Sequence, residues 1–209
     1  MSAPGDSFEP ILAKAHALMR SKRGEEACIM LAEALEQARG SGDMEGAALF
    51  SSVRGSYLRA LGRHAEALDA YLEAETLSGG ESQYRISAAR HMVFGVNQPE
   101  RAIEKLSPLI KASQSSVLRQ EAHSLRGIAF LALGKPREAV EELEGISTEL
   151  GVREAPWSRD LSLAELLVRN SLGVKACKRY LSLIAARAAA EGEAPVLDKI
   201  RGLARLLGA

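Results

Sequence analysis

The sequence predicts an all-α chain of about five helix–turn–helix repeats closed by a short terminal helix. Three observations predict it. Ala and Leu are plentiful, β-branched residues are sparse and aromatics make up only 4% of the 209 residues. That mixture favours helix, because Ala and Leu lose little freedom there. Two stretches, RGSYLRALGRHAEAL at 54–68 and RGIAFLALGKPREAV at 126–140, repeat Arg, Gly, Ala, Leu, Gly, Glu and Ala at the same offsets. An apolar i, i+4, i+7 stripe, the signature of one buried helix face, recurs five times.

Each strong stretch reads as a helix, a glycine that can stop it in the left-handed conformation, a short turn and a second helix opening on Glu-Ala. Three looser units follow the same plan, around Arg23 to Ala27, Asn97 to Ala102 and Ser171 to Ala176. Gly62, Gly134 and Gly173 tolerate positive φ, and Asn97 is the best substitute for glycine. Pro99 and Pro136 suit the first turn of a helix. Aligned on the alanine of the second helix, the units place Ala27, Ala67, Ala102, Ala139 and Ala176 at separations of 40, 35, 37 and 37. Four residues on stand Leu31, Tyr71, Leu106, Leu143 and Tyr180; three further on stand Ala34, Ala74, Leu109, Ile146 and Leu183.

These residues resemble the tetratricopeptide repeat (TPR), a helix–turn–helix unit of about 34 residues. Its small residue in the middle of the first helix is matched by Ala15, Gly55, Gly127 and Ala164, while Arg90 departs from it. Gly mid-helix costs about 1 kcal/mol relative to Ala, so Gly55 and Gly127 point to close helix packing. A large residue is usual four positions earlier, where Ser51 and His123 stand. The resemblance covers about residues 8–190, in repeats near 8–41, 48–81, 83–116, 120–153 and 157–190, after a disordered tail at 1–7. It implies a single right-handed superhelical solenoid. Residues 40–46, Ser78 to Gly80 and Gly151 to Pro156 read as connectors. A helix over 195–208, with Leu197, Ile200, Leu203, Leu206 and Leu207 on its apolar side, is expected to cap the open end of the stack.

The resemblance also implies an inner face lined by the first helix of each repeat. Carried over, that face holds His16 and Met19 from repeat one and Ser52, Ser56 and Arg59 from repeat two. Repeat three adds Tyr84, Ser87, His91 and Phe94, and repeat four adds Ser124, Ile128 and Leu131. A neighbouring register position, usually apolar, carries Lys14, Arg54 and Arg126. Their long stems can lie along a helix interface with the charge in water or on a carboxylate; as a basic row they would receive an acidic ligand. Members that grip a carboxylate-ended chaperone tail use Lys and Asn where this chain has Leu12, His16, Ser52 and Ser56, so that activity is not implied.

Nothing in the residues points to chemistry. No HExxH, GxSxG or P-loop is present, and His16, His64, His91 and His123 do not have metal-ligand spacing. No catalytic residue, metal or cofactor is expected. Lys+Arg and Asp+Glu number 27 each, which gives no basic excess for nucleic acid. Cys28 and Cys177 stand far apart and are expected as reduced buried thiols. With neither a signal-like start nor a long apolar run, a cytoplasmic protein away from the membrane is expected. The function expected is protein–protein interaction, as an adaptor or chaperone-like module holding a peptide or helix of another protein in the groove. The alternative is a homo-oligomeric scaffold joined through its terminal repeat or last helix.

Overall fold

A computed structural model describes residues 8–151 and 156–208. The tail expected at 1–7 and most of the connector before Pro156 lie outside the described residues. Among the described residues every regular element is a helix, with no strand. It divides into two compact units, residues 1–97 and 98–209.

The first unit holds α1 (Phe8–Arg20), α2 (Gly24–Ser41), α3 (Met44–Ala60), α4 (His64–Leu77) and α5 (Ser82–Phe94). The second holds α6 (Pro99–Ala112), α7 (Ser116–Ala132), α8 (Pro136–Leu150), α9 (Ser162–Arg169), α10 (Val174–Glu191) and α11 (Ala194–Leu206). Proline stands in the first turn of α6, α8 and α11, where no intrahelical donor is needed. Asp43 and Ser115 cap α3 and α7, accepting from the backbone N–H of Gly46 (2.9 Å) and Leu118 (3.3 Å). The Asp43 cap starts α3 early, so the connector expected at 40–46 is reduced to Gly42 and Asp43.

The turns share one device. Five residues before each aligned alanine stands a left-handed residue: Lys22 (φ 61°), Gly62 (78°), Asn97 (52°), Gly134 (68°) and Ser171 (55°). In four of the turns the next N–H closes back onto the helix, Arg23 to Leu18, Arg63 to Leu58, Lys135 to Phe130 and Leu172 to Leu167, each at 2.9 Å. This is the Schellman closure, which satisfies carbonyls that a helix end leaves free. The turn residue of the fifth repeat is therefore Ser171 rather than Gly173, which lies two residues on and opens α10 with its own left-handed φ of 57°.

The recurring stripe is the core. Ala27, Ala67, Ala102 and Ala139 are wholly buried, and Leu31, Tyr71, Leu106, Leu143 and Tyr180 follow them inside. Leu183, the last of the set, is only half-buried. The two mid-helix glycines meet different neighbours. At Gly55 a Cβ would lie 3.1 Å from the Tyr71 ring and 3.2 Å from the Ala67 carbonyl oxygen. At Gly127 it would lie 2.5 Å from Leu163 of α9, so glycine is what lets α9 sit on α7. The polar residues where the repeat usually has a large one are satisfied locally. Ser51 donates to the Ala70 carbonyl (2.9 Å), and His123 pairs with Glu142 (2.7 Å).

The helix expected from residue 157 starts only at Ser162. The preceding stretch is held in irregular form by side chains. The Trp157 indole N–H donates to Glu191 (2.7 Å), and Ser116 and Gln120 donate to the Pro156 carbonyl (2.7 and 3.2 Å). The Ser158 N–H donates to Gln120 (2.8 Å), and Asp160 accepts from the Ser162 N–H (2.9 Å). At the C-terminus, α11 packs on α10 with Ile200 and Leu203 buried, and Lys199 bonds Glu165 of α9 at 3.0 Å. Leu197 and Leu207 are half-buried, and Leu206 stays 64% exposed.

Candidate functional site

The repeat register brings residues of α3, α4 and α5 around one open cleft of about 510 Å³ within the first unit. Ser52, Ser56 and Arg59 enter from α3, because positions i, i+4 and i+7 share a helix face. Ser87, His91 and Phe94 enter from α5 with the same spacing. His64 and Tyr71 of α4, Arg90 of α5 and Gly95 complete the wall.

Its polar geometry is specific. The Ser56 hydroxyl and the Tyr71 phenol lie 3.1 Å apart. Ser87 donates to the Gln83 carbonyl at 3.0 Å. His91 is buried, and its Nε2 lies 2.8 Å from the His64 carbonyl. A carbonyl only accepts, so Nε2 donates this bond, and in the neutral ring Nδ1 is an acceptor. That Nδ1 has no hydrogen-bond partner. The His91 ring stacks on His64 (centroids 5.7 Å apart) and tilts against Tyr71 (5.4 Å). A Cβ at residue 95 would fall 2.2 Å from the His91 ring, so Gly95 makes room for it. Phe94 stands 60% exposed at the edge. No Asp or Glu lines the cleft, and among the described residues Arg59 makes no ion pair.

Six of the twelve residues assigned to the inner face therefore converge. The others do not line this cleft. His16 is engaged with the Tyr57 hydroxyl at 2.6 Å, and Met19 is half-buried beside Gly24. Tyr84 is buried with Ala48 and Ala74, and burial pushes its phenol up from the ordinary range. In the second unit Ser124 is buried and donates to Asp160 at 3.2 Å, Ile128 is buried, and Leu131 is half-buried. Ser116, Gln120 and Ser124 of α7 are bonded to Pro156, Ser158 and Asp160 of the same unit. Of the lysine–arginine set, Arg126 bonds the buried Glu142 (2.9 Å) and Ser107 (3.0 Å), Arg54 is half-buried, and Lys14 is exposed.

His64, Tyr71, Arg90 and Gly95 are the lining residues that the first-helix register does not supply. His64 and Tyr71 belong to a second helix, and Tyr71 reads in sequence as core. Arg90 was legible as a misfit, a long charged residue where a small one is usual. Among the described residues no cluster of His, Cys, Asp or Glu could hold a metal ion, and no helix is long and apolar enough to cross a membrane.

Cleft and paired helices together define a TPR-like helical-repeat fold, and solved structures bear this out. Over 93% of this chain and 90% of its own length, PilW, a type IV pilus biogenesis factor, superposes with a TM-score of 0.61 at 14% identity. A tetratricopeptide repeat protein from Parabacteroides merdae covers 97% of this chain and 77% of its own, with a TM-score of 0.58 at 20% identity. MamA from Desulfovibrio magneticus RS-1 covers 90% and 98%, with a TM-score of 0.57 at 17% identity. At these identities the likeness is one of fold. No protein-family model matches the chain, and no curated protein does.

Proposed function

We propose that this chain is a protein-binding module, an adaptor or chaperone-like one, that holds a peptide or helix of a partner protein in the cleft of α3, α4 and α5. One observation carries the reading. Ser52, Ser56, Arg59, Ser87, His91 and Phe94, spaced along two helices by the repeat, meet at a single open cleft with an exposed aromatic at its edge. Arg and aromatic side chains are the commonest anchors of protein interfaces. A cytoplasmic setting fits the two free, buried thiols.

Affinity capture from the native lysate tests it, comparing the intact chain with an Arg59→Ala, Phe94→Ala double variant of matched helicity. A partner held by the first and lost by the second supports the cleft. The same partners on both would move the binding surface elsewhere.

A second reading, self-association through α11, is favoured by the exposed Leu206 and by an apolar groove of about 270 Å³ between α10 and α11. Light scattering over a concentration series decides it. A chain that stays monomeric at high concentration rules it out.

A further inference from the structure

We infer that the cleft selects an acidic segment of the partner, gripping an internal Asp or Glu side chain rather than a free chain end; this rests on the cleft-binding reading above. Charge is the first ground. Arg59 and Arg90 line the cleft, no carboxylate does, and Arg59 is not spent on an ion pair among the described residues. Such a wall attracts anionic oxygens and repels cations.

Hydrogen bonding narrows the ligand further. Ser56 and Tyr71 share one bond, so one of their two O–H groups is left to donate outward. Ser52 supplies another hydroxyl. Ser87 has committed its proton to Gln83 and offers only lone pairs. A bare oxyanion satisfies the donors and leaves the acceptor unmet. A peptide brings a carboxylate for Arg59 and the hydroxyls, an N–H for Ser87, and an apolar neighbour for Phe94.

The chain itself provides a worked instance. Ser124 occupies in α7 the repeat position that Ser52 occupies in α3, 72 residues earlier. Ser124 donates to the carboxylate of Asp160 at 3.2 Å. Asp160 belongs to an irregular segment whose Pro156 carbonyl and Ser158 N–H are bonded by Ser116 and Gln120 of the same helix. An acidic residue within a non-helical stretch is thus already held by this face of the repeat, with no chain terminus involved.

The test selects random dodecapeptides, displayed between fixed flanks so that no free C-terminus is present, on the full chain and on an Arg59→Glu variant. Arg59 is exposed, so the charge change leaves the fold in place, as matched circular dichroism will verify. Enrichment of Asp and Glu by the intact chain, replaced by Lys and Arg on the variant, is the expected result. A selected peptide with its acidic residue changed to Gln should bind at least about tenfold more weakly, the loss of one charge-assisted hydrogen bond. A non-acidic consensus that Phe94→Ala abolishes would overturn the acidic preference and leave the cleft standing. Acidic enrichment that Arg59→Glu does not alter would overturn it too, because the acid would then bind elsewhere. No enrichment above a blank surface would sink this inference together with the reading it rests on.

Discussion

Five turns require a left-handed residue, and only two of them have glycine. At Lys22 and Ser171 the backbone carries a side chain into a region that costs an L-residue roughly 1–2 kcal/mol. Changing Lys22 or Ser171 to Gly should raise stability by about 0.5–1 kcal/mol each, after the extra freedom glycine gains in the unfolded chain. Urea midpoints measure it, and an unchanged or lowered midpoint would refute it. The same contrast explains what was legible. Gly62 and Gly134 announce their backbone sign; Lys22 and Ser171 do not, because the turn imposes it and the residue merely tolerates it. Gly173 drew attention for its type, although the closure belongs two residues before it. Cysteine gives a second residue-scale prediction. Burial pushes the Cys177 thiol up to about 11, so almost none is thiolate at pH 8. Iodoacetamide should label it at pH 8 far more slowly than a small-molecule thiol, and urea should remove the difference. Rapid labelling of the folded chain would contradict its burial.

Helix pairing was readable because the stripe that reports it is the stripe that is buried: Leu31, Leu106 and Leu143 repeat as spaced. The cleft was readable from α3 and α5 for the same reason, since one helix face repeats with period 3.6. Its α4 side was hidden, because His64 and Tyr71 reach it only through the pairing of one helix with the next. The late start of α9 was hidden as well. Trp157 to Leu161 has helix-compatible composition, and its irregular path is imposed by Gln120, Ser116 and Glu191, distant in sequence. At this scale α11 has a pH signature. Hydrogen bonding to Lys199, against a smaller opposing effect of burial, holds the Glu165 carboxyl below its ordinary range, and Arg169 adds to it. A depressed carboxylate stabilises the fold above its unfolded pKa of about 4.3 and loses that contribution as pH falls through the lower folded value. Both partners are part-exposed, so the contribution is at most about 1 kcal/mol. Lys199→Met should therefore cost stability at pH 7 and nearly nothing below pH 3 in chemical denaturation. An equal loss at both would assign the effect to packing.

On the scale of the whole chain, the division into two compact units falls between Asn97 and Gln98, inside the third repeat as the register draws it. Each carries its own buried alanines and leucines: Ala15, Leu31 and Leu58 in one, Leu106, Leu125 and Leu143 in the other. Calorimetry should resolve two unfolding transitions, and residues 1–97 made alone should melt cooperatively; a single transition for the chain with no structure in that fragment would join the units into one. The placement of Trp157 makes this separable by light alone. It is the only tryptophan, buried in the second unit against Glu191, while three of the four tyrosines, Tyr57, Tyr71 and Tyr84, belong to the first. Emission excited at the red edge of indole absorption reports only the second unit, so the chain arrives with a built-in dye on one half, and a peptide entering the cleft of the other can be followed through tyrosine without labelling either.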